Sequence, residues 1–308
     1  MALPLSSPVL PQLAKSRASL PEGEGWAYEP KFDGFRAIVF VDGDTVELQS
    51  RNGKPLTRYF PDVAASFPHA RLVLDGEIVA SSFDTLGQRI HPAKSRIDRL
   101  AAETPARFIA FDLPARDDEV LLERSYDERR RALEDVAGLE LAPVVPTAGE
   151  AERWLREEEG VIAKERAGRY CPGERVGMVK VKRVRTIDAV VMGWRPGKAE
   201  NTVGALILGL YDDDGRLREV GHSSGFTARE KRELVGKLKP YETGERGTGE
   251  PSRWSAGRDL EWVALRPELV VEITFDHVSD GRIRHGTKVQ RWRDDKAPAE
   301  CRVEQLAS

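Results

Sequence analysis

Six residues, Lys31-Phe32-Asp33-Gly34-Phe35-Arg36, interrupt an otherwise apolar stretch, with Trp26-Ala27-Tyr28-Glu29 before them and Ala37-Ile38-Val39-Phe40-Val41 after. Two apolar runs flanking a short polar segment that contains glycine read as strands joined through a turn. Any fold that accepts this segment must therefore carry the Lys31 amine, the Asp33 carboxylate and the Arg36 guanidinium together on a rigid strand-turn support. A nucleophilic amine beside a group that can neutralise phosphate oxygens is what nucleotidyl transfer requires.

The surrounding pattern is mixed. Residues 35–48 read as a β-hairpin turning at Asp42-Gly43-Asp44. Short apolar strands at 71–74 and 78–80 bracket Asp75-Gly76-Glu77, which taken alone reads as a turn, and another strand is expected at 107–111. Ser125 with Glu128 forms a capping box opening a helix over 126–136, and a second polar helix is expected over 151–158. After Arg185 strand-like runs dominate, at 189–192, 204–211, 216–220, 263–266 and 269–275. One helix interrupts them, capped by Thr227 and Glu230 and ending near Lys239; residues 242–257, rich in Gly, Ser, Thr and charge, read as a mobile loop. The expectation is an α+β chain of two domains, 1–186 and 187–308, the second a small barrel of about five strands such as an OB-fold.

At 308 residues, 40% hydrophobic and 32% charged, with no apolar run near eighteen residues, the chain reads as soluble and without a membrane span. Its start lacks a secretory signal, which makes the cytoplasm the expected location. Cys171 and Cys301 have no CxxC spacing, which argues against a four-cysteine zinc site or a disulfide framework. His91, His222, His277 and His285 stand in no ligand pattern. A net charge of −3 does not mark a strongly basic protein, yet eight basic residues face two acidic ones between Lys164 and Arg185. Arg282, Arg284, Lys288, Arg291 and Arg293 form a second basic run, and two such runs on one chain with a candidate phosphate site favour phosphate binding.

A lysine attacks phosphorus only as the neutral amine, so Lys31 needs cationic neighbours or burial, which Lys180, Lys182 or a metal could supply. A divalent cation would call on carboxylates, and Glu77 and Glu159 each adjoin a glycine that could let backbone approach a ligand.

In order, Lys31–Arg36, Ser50-Arg51-Asn52-Gly53, Asp75-Gly76-Glu77, the run ending at Phe111 and Asp112, Glu159 to Lys164, and Val179-Lys180-Val181-Lys182 resemble the six nucleotidyltransferase motifs of ATP-dependent DNA ligases. Arg291-Trp292-Arg293-Asp294-Asp295-Lys296 resembles the family's last motif, so the resemblance spans residues 29–296. It is closest to the compact bacterial C-type enzymes. The fold implied is a nucleotidyltransferase (ATP-grasp-like) domain of antiparallel sheets and helices followed by an OB-fold barrel. One departure is Met178, where the family usually has tryptophan.

The resemblance implies that ATP leaves AMP covalently on Lys31, that AMP passes to a nick 5′-phosphate, and that the 3′-hydroxyl then displaces it. It implies that Glu29 helps hold adenine, that Phe111 stacks on it, and that Lys164, Lys180 and Lys182 contact nucleotide or phosphates. Glu77 would touch ribose or metal, and Glu159 would bind Mg²⁺ or Mn²⁺. Arg36 and Arg51 would clamp the 5′-phosphate, and Asp33 would lie near the 3′-hydroxyl. Arg291, Arg293, Asp295 and Lys296 would approach pyrophosphate during the first step, with a hinge at 183–187. The implied partners are nicked duplex DNA and repair proteins, for a monomer. The same lysine motif serves mRNA-capping guanylyltransferases and RNA ligases, which form the alternative.

Overall fold

The computed structural model describes residues 3–249, 260–276, 278–279, 281–283 and 286–307. Arg284, His277, His285 and the 250–257 part of the expected loop lie outside the described residues. The chain divides into two compact units, Met1–Arg183 and Val184–Ser308.

The first unit runs β1 (Lys15–Ser16), β2 (Trp26–Pro30), β3 (Phe35–Gly43), β4 (Thr45–Ser50), α1 (Pro61–Ala64), β5 (Ala70–Val79), α2 (Phe83–Arg89), α3 (Lys94–Glu103), β6 (Arg107–Arg116) and β7 (Glu119–Val120). It continues with α4 (Tyr126–Glu134), β8 (Glu140–Leu141), α5 (Ala148–Ala151), α6 (Trp154–Glu157), β9 (Gly160–Glu165) and β10 (Met178–Lys182). One sheet has the order β1-β10-β9-β2 and the other β4-β3-β5-β6-β7, with β8 on β6. Pairing is antiparallel except for β1 on β10 and β8 on β6. The hairpin turns where expected: Asp42 pairs with Thr45, and Gly43 supplies a φ of +63° that few other residues adopt. The Ser125–Glu128 capping box closes reciprocally at the start of α4.

Strand β5 corrects the sequence reading. Asp75-Gly76-Glu77 is not a turn between two strands; β5 runs through it unbroken from Ala70 to Val79. Alternation sorts its side chains, with Leu72, Leu74 and Ile78 entering the core that also holds Ala37, Val39 and Val41. Val73 packs with Ile38 and Phe40, while Val79 joins a small cluster with Ile109. Asp75 and Glu77 thus share the face opposite the main core. The expected helix over 151–158 is instead two short ones, α5 capped by Thr147 and α6 beginning at Trp154, whose indole is buried.

The second unit comprises β11 (Arg185–Pro196), β12 (Val203–Tyr211), β13 (Leu217–Ser223), α7 (Ala228–Leu238), β14 (Glu242–Gly249), β15 (Leu260–Leu265), β16 (Val270–Phe275), β17 (Val278–Ser279), β18 (Arg282–Ile283) and β19 (Lys288–Trp292). The order is β13-β12-β11-β15-β14, with β16 joining β11 to β19. β11 pairs with β16 over Arg185 to Val190 and with β15 at Gly193 and Trp194, and a register shift against β12 falls between Val191 and Gly193. One long irregular strand serving two neighbours in succession is how a sheet curls around a core, here that of Val190, Leu206, Leu208, Val271 and Ile273, as an OB-fold requires.

Residues 242–249 were expected in a mobile loop and form β14 instead. In the sheet order β14 is an edge strand, and backbone pairing with β15 can hold a polar Gly/Thr sequence without apolar alternation. β19 was likewise not read as a strand; its residues entered the sequence reading as a basic run and the start of the last motif. Because Arg185, Thr186 and Ile187 pair within β11, the expected hinge at 183–187 shrinks to Arg183 and Val184 outside the strands.

Candidate active site

Lys31 follows the last residue of β2, and its backbone N–H donates to the Gly160 carbonyl of β9 at 2.9 Å, carrying the ladder one residue past the strand. Gly34 has a steric cause: a Cβ there would run into the Ile78 carbonyl and the Glu77 side chain of β5. The same holds for the glycines beside the two glutamates. A Cβ at Gly76 would strike Phe108 and the Ile109 carbonyl, and one at Gly160, with φ +135°, the Val181 carbonyl. Each of these glycines is required by the close approach of strands of this chain to one another.

Between the two sheets of this unit lies a cavity of about 470 Å³. Glu29, Lys31, Arg36, Arg51, Glu77, Phe111, Lys164 and Lys180 all line it. Asp33, Glu159 and Lys182 do not line it: Asp33 sits between the lining residues Phe32 and Gly34, and Glu159 precedes the glycine that anchors Lys31. Arg291 and Lys296 belong to the second unit, where Arg291 pairs with Glu272 at 2.9 Å and Lys296 with Glu300 at 3.0 Å. Arg293 there holds Asp188 and Asp295, each at 2.9 Å.

The sequence did not single out several lining residues. Leu13 and Ala14 come from the N-terminal segment, which β1 attaches to β10, and Arg175 comes from the basic region; Met178, noted in the sequence only as a departure from the family pattern, lines the cavity too. Met178 is buried, at the position where the resemblance leads one to expect tryptophan.

Buried charge organises the walls. Lys164 donates to Glu29 Oε1 at 3.0 Å, lies 2.9 Å from its Oε2 as an ion pair, and donates to the Phe111 carbonyl at 2.9 Å, while the Tyr126 hydroxyl donates to Glu29 at 2.7 Å. The Lys164 ammonium lies 4.8 Å from the Phe111 ring centre. Burial would raise the Asp112 carboxyl, but Arg129 and Lys164 outweigh it and hold it below its ordinary value. Arg36 grips Asp75 through two nitrogens, at 2.9 and 2.6 Å, and Asp75 also accepts from the Tyr170 hydroxyl at 2.6 Å. Burial, then the nearby Lys182, Arg51, Lys31 and Arg175, lower the pKa of Lys180, which marks the cavity as a strongly positive place suited to phosphate.

The model of the ATP dependent DNA ligase domain matches residues 11–182, and that of the ATP dependent DNA ligase C terminal region matches residues 199–296. The chain belongs to the ATP-dependent DNA ligases. It is 44% identical to DNA ligase C1 of Mycolicibacterium smegmatis, an alignment covering 99% of this chain and 96% of that ligase. It is 43% identical to DNA ligase C of Mycobacterium tuberculosis, with 99% and 96% covered. Among solved structures it resembles the ligase domain of M. tuberculosis LigD at 31% identity, with a TM-score of 0.52 and coverage of 95% and 97%.

In this ligase the Glu77 carboxyl is pushed up to about 7, because burial outweighs the attraction of Arg36 and Lys31. The fold favours its protonated form, so stability declines as pH rises from about 4.5, the ordinary value, through about 7 and then levels off. Glu77→Gln is therefore expected to raise the melting temperature at pH 8 by a few degrees and to leave it nearly unchanged at pH 4.5. Calorimetry at the two pH values checks this, and a gain of equal size at both would contradict it. Among the described residues no three His, Cys, Asp or Glu side chains gather into a cage for a metal. Mg²⁺ needs no such cage, since it commonly takes one or two carboxylates with water and substrate phosphates. Glu77, a reluctantly charged carboxyl on the wall of a phosphate-friendly cavity, fits that donor role.

Proposed function

We propose that this chain seals 5′-phosphate/3′-hydroxyl nicks in duplex DNA through a lysyl-AMP intermediate, with Lys31 as nucleophile. The observation that carries the reading is the convergence on one cavity of Lys31, the Phe111 ring and the cations Arg36, Arg51, Lys164 and Lys180. In the first step the neutral Lys31 Nζ forms a bond to the α-phosphorus of ATP, loses its proton, and pyrophosphate departs. A nick 5′-phosphate oxygen then attacks the AMP phosphorus and releases Lys31. Finally the 3′-hydroxyl oxygen attacks the 5′-phosphorus, its proton leaves, and AMP is the leaving group.

Phe111 offers a face for adenine, and Lys164 and Lys180 face the nucleotide's phosphates. Arg36 and Arg51 receive the nick 5′-phosphate, for which a guanidinium provides two charge-assisted bonds. Asp33 serves the 3′-hydroxyl, and Arg291 and Lys296 serve pyrophosphate in the first step. Glu77 and Glu159 would hold Mg²⁺ or Mn²⁺, which when bound neutralises phosphate charge. Glu29, on the cavity wall, helps hold adenine and also holds Lys164. The adenylation domain is taken as 1–186 and the OB domain as 187–308.

A role in DNA repair follows from likeness to the multifunctional non-homologous end joining protein LigD of M. smegmatis, 35% identical over 89% of this chain and 37% of that protein. The reading includes a monomer working on DNA in the cytoplasm. Among the described residues no helix is long and apolar enough to cross a membrane.

The test is to incubate the protein with α-labelled ATP or GTP and Mg²⁺, then chase with a singly nicked, 5′-phosphorylated duplex. Acid-stable label from ATP alone, discharged into sealed DNA, is the expected result. Labelling by GTP, or label that nicked DNA does not discharge, would point to capping or RNA joining.

A further inference from the structure

Tyr170 belongs to none of the site motifs. It lies between β9 and β10, is 1% exposed, and its ring carries the Arg129 guanidinium 5.6 Å from the centroid. Its hydroxyl accepts a hydrogen bond from the backbone N–H of Gln12, at 3.2 Å, and donates one to Asp75 Oδ2, at 2.6 Å. Asp75 is fully buried and takes Arg36 Nε and Nη2 on its two oxygens. A continuous path therefore runs from the N-terminal segment through a phenol and a carboxylate to an arginine that lines the cavity. Burial, reinforced by Asp75, keeps the phenol far above its ordinary pKa, so it remains a proton donor at any working pH. Asp75 engages two of the three guanidinium nitrogens, which leaves Nη1 for a ligand.

A buried carboxylate held on one side by arginine alone could rotate about its bond to Cβ and carry the guanidinium with it. A second donor from a rigid ring removes that freedom, and the Gln12 N–H in turn fixes the hydroxyl. The amide side chain of Gln12 also donates to the Val176 carbonyl, which anchors the segment beyond Tyr170. We propose that Tyr170 is a positioning residue which, through Asp75, sets the angle at which Arg36 receives the 5′-phosphate of a nick. The proposal deepens the reading of Arg36 as a phosphate clamp and rests on it.

The experiment uses the full chain with Tyr170→Phe, Arg36→Ala and the double variant. Affinity is measured for nicked duplexes bearing a 5′-phosphate or a 5′-hydroxyl, with 3′-deoxy ends to prevent sealing. The ratio of the two affinities is taken within each preparation, so a fraction of unfolded protein cancels. Sealing of a preadenylated nick and labelling of Lys31 by ATP are measured in parallel. Tyr170→Phe is expected to lower the phosphate-to-hydroxyl ratio by about tenfold, as for loss of one bond supporting a charged group, and to reduce sealing more than labelling. Arg36→Ala should lose the ratio altogether, and the double variant should match it.

A wild-type ratio in Tyr170→Phe while Arg36→Ala loses it would overturn the positioning role and spare the clamp. Effects that multiply in the double variant would also overturn it, since the hydroxyl would then act elsewhere. An unchanged ratio in Arg36→Ala would overturn the clamp and the positioning role together.

Discussion

Lys31→Ala is expected to lose acid-stable labelling by ATP completely and to lower sealing of an ordinary nick by roughly 10³-fold or more, because no other amine can take the same path to phosphorus. Lys31→Arg should fare no better, since a guanidinium keeps its proton at neutral pH. Both variants should retain part of their sealing of a nick already carrying AMP on its 5′-phosphate, a reaction that needs the 3′-hydroxyl and phosphate-binding cations but no lysine nucleophile. Gel assays on the two substrates separate these outcomes. Equal loss on both would mean that Lys31 holds the site together instead of attacking. Its backbone anchorage, an N–H bond to Gly160, is independent of the side chain and should survive the substitution.

A second large effect is expected on stability. Lys164 and Glu29 are 4% and 2% exposed at their side chains, and neither can recover water if its partner is removed. Lys164→Met should leave the Glu29 carboxylate buried with only the Tyr126 hydroxyl, at a cost of about 3–5 kcal/mol. For a unit of this size that lowers the melting temperature on the order of 10 °C. Glu29→Gln added to Lys164→Met should restore part of the loss by removing the orphaned charge. A loss below about 1 kcal/mol in Lys164→Met would show that the pair is solvated in solution and that its burial does not govern stability.

The catalytic segment was legible in the sequence because its chemistry is local. Lys31 through Arg36 are neighbours in the chain, and the apolar runs on either side left one arrangement for them. Asp42-Gly43-Asp44 and the two capping boxes were legible for the same reason. Asp75-Gly76-Glu77 misled because Asp and Gly are common in turns, whereas here Gly76 is demanded by Phe108 lying across it from β6, a long-range fact. β14 was hidden because an edge strand needs backbone pairing more than apolar alternation. Leu13, Ala14 and Tyr170 carry no motif; the pairing of β1 with β10 brings the first two to the cavity, and Tyr170 is linked to it only through Asp75 and Arg36. The contact of Lys164 with the Glu29 carboxylate was likewise hidden, because the two residues are far apart in the sequence and adjacent only through the pairing of β2 with β9.

The unbroken course of β5 bears on how such a gene can change. Leu72, Leu74 and Ile78 face the core while Asp75 and Glu77 face away, so deleting one codon within the strand would turn two carboxylates inward and two or three aliphatic chains toward the nucleotide. A conservative swap among the aliphatic residues of this stretch disturbs one contact at a time, whereas a change of length moves every side chain beyond it to the other face. Lineages descended from this enzyme should vary in length at turns such as Asp42-Gly43-Asp44 and conserve the spacing from Ala70 to Val79 residue for residue.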